Sequence, residues 1–180
     1  MEEEKPKLNV KDWIIISTTM IGVNLTILAL IWQFPPLEGI YTATLFLMLS
    51  FILFINSVSA NSKANFEVQS SSSTEQKILK FVSFAEYSFG LGFTFIVIGF
   101  SILSYKYLQG FVGQDNIMVL VIPSVFLLTA WIMIIIYNAI NFSGKALKGI
   151  RSLKRNLWMI MEFICLLIIY IDFFQIISIP

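Results

Sequence analysis

Apolar and polar residues alternate along this chain in blocks rather than in the short periods of a soluble fold. Five apolar blocks fall at residues 13–32, 40–60, 81–105, 117–142 and 157–179. Each is about the 20 residues that an α-helix needs to cross a bilayer at 1.5 Å rise per residue. The breaks between them are turn-like. Gln33-Phe34-Pro35-Pro36 stops the first block, because proline has no amide hydrogen and restricts the residue before it. Residues 61–80 and 143–156 read as polar loops, the first serine-rich and the second basic, and residues 110–115 as a short glycine-containing turn. The pattern therefore predicts an all-α, polytopic membrane protein, a single bundle of five transmembrane helices. The third helix is expected to start about one turn before its span, since Ser73-Thr74-Glu75-Gln76 has the form of a capping box.

Charge placement adds an orientation. Lys and Arg favour the cytoplasmic side. With the N-terminus inside, Lys5, Lys7, Lys11, Lys63, Lys77, Lys80, Lys145, Lys148, Arg151, Lys154 and Arg155 all fall inside, and Lys106 alone falls outside. The C-terminus is then outside. Trp13 and Trp158 mark the inner interface and Trp32 the outer, whereas Trp131 sits mid-span and does not fit an aromatic belt. Composition agrees: 57% of the 180 residues are hydrophobic and 13% charged, against about 25% charged in an ordinary soluble domain. The acidic start and the long first block predict an uncleaved span rather than a removed export signal. A multi-pass location, in the cell membrane, is the expectation.

Carboxylates inside the spans are the first candidates for function. Glu86 and Glu162 each lie about 8 Å in from the inner end of their spans. Asp172 follows Glu162 by ten residues, about 80° away around the helix, so both can face one side, and Gln175 extends the polar stripe. A carboxylate in lipid costs about 2.5–3.5 kcal/mol on insertion scales, so it is expected to face protein or water. One reading makes Glu86, Glu162 and Asp172 an ion or proton path. The other lets Glu86 and Glu162 snorkel to basic residues at the inner interface and puts Asp172 near the outer one.

Small residues at helical spacing come next. Thr18, Gly22 and Thr26 form one stripe, and Ala85, Ser88, Gly92 and Gly99 another. Such stripes let helix backbones approach closely, and both begin in the inner halves of helices running the same way. They predict that the first and third helices pack together; the rival is a contact between subunits. A weak similarity between the first two hairpins hints at an internal repeat. Lys145, Lys148, Arg151 and Arg155 recur at helical spacing opposite Leu147, Ile150, Leu153 and Leu157. This reads as a surface helix to which anionic lipid is drawn at about 1 kcal/mol per basic residue. Asn24, Asn56, Asn138 and Asn141 are expected to hydrogen-bond between helices, and Pro123 to kink the fourth.

What is missing narrows the function further. The chain has no histidine and a single cysteine, Cys165, so no ordinary zinc, copper or haem site is expected from it alone. No phosphate-binding glycine loop or dinucleotide fingerprint is present. No cofactor, no metal, no nucleic acid and no enzymatic activity are expected. The sequence favours a non-catalytic subunit of a membrane complex, with other membrane subunits or copies of itself as partners alongside the lipid bilayer. A small oligomeric cation or proton channel is the second reading.

Overall fold

A computed structural model describes residues 10–33, 39–70, 74–141 and 153–180, except for the side chains at 134, 137–141 and 153–156 within helices. The described residues are helical and contain no strand: α1 (Val10–Gln33), α2 (Ile40–Ser70), α3 (Glu75–Val112), α4 (Met118–Asn141) and α5 (Leu153–Phe173). By length and composition α1, α2 and α3 are each able to cross a membrane, and α4 carries a shorter apolar stretch over Met118–Met133. Three long apolar helices of this kind suit a membrane-embedded protein.

The helices pack on a seven-residue repeat. The buried positions of α2 include Ile40, Leu47, Phe54 and Asn61, interleaved with Ala43, Ser50, Ser57 and Ala64. Large and small residues thus alternate every three or four positions, the seam of a left-handed helix pair. The matching positions of α3 are Ala85, Gly92 and Gly99, also seven apart and buried. Where α2 and α3 cross, Ser50 Oγ donates to the Gly92 carbonyl at 2.8 Å. A Cβ on Gly92 would lie 3.3 Å from Phe54 and Leu53, and one on Gly99 would lie 3.1 Å from Leu47. Glycine is needed there because the helices are already at contact.

α1 packs on α2 rather than α3, which corrects the pairing expected from the two small-residue stripes. Its buried face is Val10, Ser17, Asn24, Leu28 and Ile31. Ser17 and Ser57 share a hydroxyl hydrogen bond at 3.2 Å, and Asn24 Nδ2 donates to the Leu47 carbonyl at 2.7 Å. Thr18, Gly22 and Thr26 lie on the opposite, exposed face. A Cβ on Gly22 would meet nothing within 4 Å. α1 touches α3 near its N-terminal end, where Trp13 stands edge-on to Phe89 with ring centroids 5.3 Å apart. α4 and α5 pack against the other side of α3 and against each other, closing a core of Ile98, Ile102, Tyr105, Leu120, Cys165 and Ile169.

Several element ends differ from the sequence reading, among them that of α3, which runs on to Val112 rather than stopping near 105. Residues 61–70 continue α2 instead of forming a loop. At 31 and 38 residues, α2 and α3 run about 46 and 57 Å, beyond the roughly 30 Å of a hydrocarbon core. The shared arm is held by Ala64 and Val82 against Val10 of α1. It is also held by buried Glu67, which pairs with Lys63 at 3.0 Å and Lys77 at 3.2 Å. The N-cap of α3 is Thr74, without a side-chain cap bond, so the cap lies one residue past Ser73, which is outside the described residues. α5 stops at Phe173, not near 179. Gln175 adopts φ +61°, and the Ile176 and Gln175 amides donate to the Ile171 and Asp172 carbonyls at 3.1 and 2.9 Å. That is a Schellman stop, and it turns residues 176–180 back over the bundle end.

Candidate functional site

The seven-residue stripe of small residues on α3 ends in a charge. Ala85, Gly92 and Gly99 are followed at the next position by Lys106, which is 5% exposed. A lysine can be buried in an apolar bundle only beside a counter-charge. α5 supplies it: Lys106 Nζ lies 3.0 Å from Asp172 Oδ2 and 3.1 Å from Oδ1. Asp172 also accepts from the Tyr105 hydroxyl at 2.6 Å and from the Ile179 backbone amide at 2.6 Å. Both oxygens of one carboxylate are therefore fully occupied. The back-folded segment is pinned at its far end too, where the Pro180 carbonyl accepts from the Thr42 amide at 3.2 Å and hydroxyl at 2.7 Å. Gly39 completes the enclosure, because its φ of +79° and its missing Cβ leave room for the Lys106 stem.

This clasp forms the floor of a cleft of about 610 Å³, lined also by Gln109, Gln114 and Gln175. Its chemistry is that of a closed ion pair. Two of the carboxylate's four bonds come from one ammonium group and the others from an O–H and an N–H, so Asp172 has no lone pair left for a passing cation.

Glu162 shares the buried face of α5 with Asp172 but not its partners. It is 2% exposed and accepts from the Trp131 indole N–H at 2.7 Å. That bond accounts for a tryptophan far from any aromatic belt: its N–H serves a carboxylate. Between the two acids on the same face lie Cys165 and Ile169, both buried. Ten residues of helix separate the acids by about 15 Å, and no polar side chain bridges the gap on that face. Glu86 is exposed on α3 and joins neither acid. It stands about 29 Å along the helix from Tyr105. Among the described residues no group of three His, Cys, Asp or Glu is placed to hold a metal.

Replacing Trp131 by Phe should leave the Glu162 carboxyl without its donor, at a cost of about 1–3 kcal/mol. Glu162→Gln, which keeps an acceptor oxygen, should cost less. Thermal unfolding in detergent micelles checks the order; equal losses would show that the Trp131 bond carries no weight.

Of the other residues singled out in the sequence, Ala85, Ser88, Gly92 and Gly99 line the α2–α3 side, and Thr18, Gly22 and Thr26 face outward. Asn24 has a backbone partner on α2, although its Oδ1 has none. Pro123 is buried within α4. Lys145, Lys148 and Arg151 lie outside the described residues, and the side chains of Asn138, Asn141 and Arg155 are likewise not described. Sequence reasoning passed over Tyr105 and Glu67, and noted Lys106 and Trp131 only as exceptions to the charge bias and the aromatic belt. The signal for Lys106 was its isolation as the one basic residue on the side expected to be outside.

Comparison with protein-family models, with curated proteins and with solved structures gives no match for this chain.

Proposed function

We propose that this protein crosses the cell membrane five times, with its N-terminus in the cytoplasm and its C-terminus outside, and serves as a non-catalytic subunit of a larger membrane complex. The observation that carries the subunit reading is the state of the buried acids. Asp172 is closed on all sides by Tyr105, Lys106 and Ile179. Glu162 is separated from it by Cys165 and Ile169. Both acids serve to fix helices in place, which is what a scaffold asks of them.

The orientation rests on the bias of basic residues. Its single exception, Lys106, is neutralised by Asp172 at 3.0 Å, so it weighs little against the eleven on the other side. The complex rests on α1, whose small-residue face is left uncovered by the described residues. The hydroxyls of Thr18 and Thr26 on that face bond back to the Ile14 and Gly22 carbonyls at 2.8 and 2.9 Å. The face is thus smooth and has few unmet hydrogen bonds, the kind of surface on which a second transmembrane helix packs.

Purification in mild detergent from the native membrane tests the proposal. A stoichiometric partner of different sequence is the expected result. A homo-oligomer that conducts cations or protons in liposomes, and stops conducting in Glu162→Gln, would replace the subunit reading with the channel reading.

A further inference from the structure

One face of α3 changes character along its length. Gln76, Leu79, Lys80 and Ser83 line a shallow exposed cleft that runs through Phe84 and Tyr87 into a second, deeper groove. The positions recur every three or four residues, so they form one stripe of the helix. The second groove, about 510 Å³ in volume, is walled by Leu53 of α2, Leu91 of α3, and Leu157 and Trp158 of α5. Trp158 can lie there because residue 90 is glycine; a Cβ on Gly90 would run into its indole ring. The groove is therefore a built gap between α2–α3 and the start of α5, with Lys80 at its mouth and mostly apolar walls along its length.

We propose that this groove is a binding site for one anionic glycerophospholipid, with the headgroup phosphate at Lys80 and an acyl chain along Phe84, Leu91 and Trp158. The inference rests on the membrane reading above. Three observations favour a lipid over other occupants. The first is polarity: Gln76, Lys80 and Ser83 stand at the mouth, and the deeper part is mostly apolar, the order found along a phospholipid. The second is length. Gln76 to Leu91 spans 15 residues, about 22 Å of helix. One leaflet, half of a roughly 30 Å core plus one headgroup layer, is about 21 Å. The third is charge. Lys80 is exposed at the mouth and lines it. Exposed Glu86 lines neither part of the groove.

Native mass spectrometry of the full chain in mild detergent, offered equal phosphatidylglycerol and phosphatidylcholine, tests the site. The wild type should retain one phosphatidylglycerol per chain in preference to phosphatidylcholine. Lys80→Gln should reduce that preference about fivefold, the effect of one basic residue at an anionic surface. Lys11→Gln, a basic residue of α1 away from the groove, should leave it unchanged. Asn56→Phe, which puts a ring into the groove from a half-buried position, should lower retention of both lipids. Should that variant lose helicity, Lys80→Gln decides alone, since its side chain is exposed. Equal retention of the two lipids, or an unaltered preference in Lys80→Gln, overturns the site. Failure of the membrane reading is visible separately, as a chain that stays in solution without detergent or a Lys80→Cys thiol labelled from outside intact cells.

Discussion

Asp172→Ala is expected to be among the most damaging single substitutions in this protein, lowering stability by about 3–5 kcal/mol. The figure is the usual cost of leaving one member of a buried ion pair without its partner. The side chains of Lys106 and Asp172 are 4% and 3% exposed, so the orphaned ammonium would keep little contact with water unless it swung out into the cleft. Its aliphatic stem lies against Gly39, which limits that movement. The loss corresponds to a fall in melting temperature on the order of 10 °C for a chain of this size. Tyr105→Phe should cost less, about 1.5–3 kcal/mol, because it removes a single hydrogen bond to a charged acceptor. The double replacement of Lys106 by Met and Asp172 by Leu should recover most of the loss, since apolar pairs of similar volume often match a buried ion pair. Unfolding in detergent micelles, arranged as a double-mutant cycle, measures the coupling. If the double variant is as unstable as the sum of the single ones, the pair is not what holds the bundle end together.

The second large effect is expected at the α2–α3 seam. Gly99→Leu must place a branched side chain where a Cβ alone would be 3.1 Å from Leu47 and 3.4 Å from the Ala43 carbonyl. Overpacking of this kind costs about 1–3 kcal/mol and more where backbone blocks the way. Here the obstruction includes a backbone oxygen, so the upper end of the range applies. Gly92→Leu should behave similarly and also push Ser50 from the Gly92 carbonyl. Gly22→Leu, by contrast, enters open space and should leave the isolated chain within about 0.5 kcal/mol of wild type, or slightly more stable through better helix propensity. If a partner helix covers α1, the same substitution should nonetheless reduce co-purification of that partner. Thermal stability and partner recovery, measured together on the glycine variants, separate a seam within the chain from one between chains. A stable Gly99→Leu would contradict the close approach of α2 and α3.

The helices themselves were legible because apolar blocks of helix-spanning length are hard to disguise. Their pairing was not. A stripe such as Thr18, Gly22 and Thr26 states that a backbone can be approached, but not by what. The repeat of Ala43, Ser50, Ser57 and Ala64 in α2, seven residues apart, was equally visible in the sequence. It marks α2 as the helix that lies between α1 and α3, and it outweighs the stripe on α1 because it continues over four repeats. The ion pair was hidden for a geometric reason. Extending the fifth helix to residue 179 put Asp172 well before its end, whereas Lys106 sat just past the expected end of the third. Once the Schellman turn at Gln175 ends α5 at Phe173, both charges stand at the same level. The arm was missed because polar, serine-rich residues suggest a loop, although Lys63 and Glu67 are four apart and pair along one helix face.

The back-folded end of the chain has a consequence for biogenesis. The clasp joins Lys106 to a residue 66 positions later, and the Thr42–Pro180 contact spans 138. α1, α2 and α3 can associate as soon as they leave the ribosome, because their contacts are close in sequence. Lys106 must then wait, uncompensated, until α5 and the residues after it have been made. Closure of the Lys106–Asp172 pair therefore comes after α1, α2 and α3 have met. A chain interrupted before residue 172 would leave the Lys106 ammonium without its counter-charge on the buried face of α3.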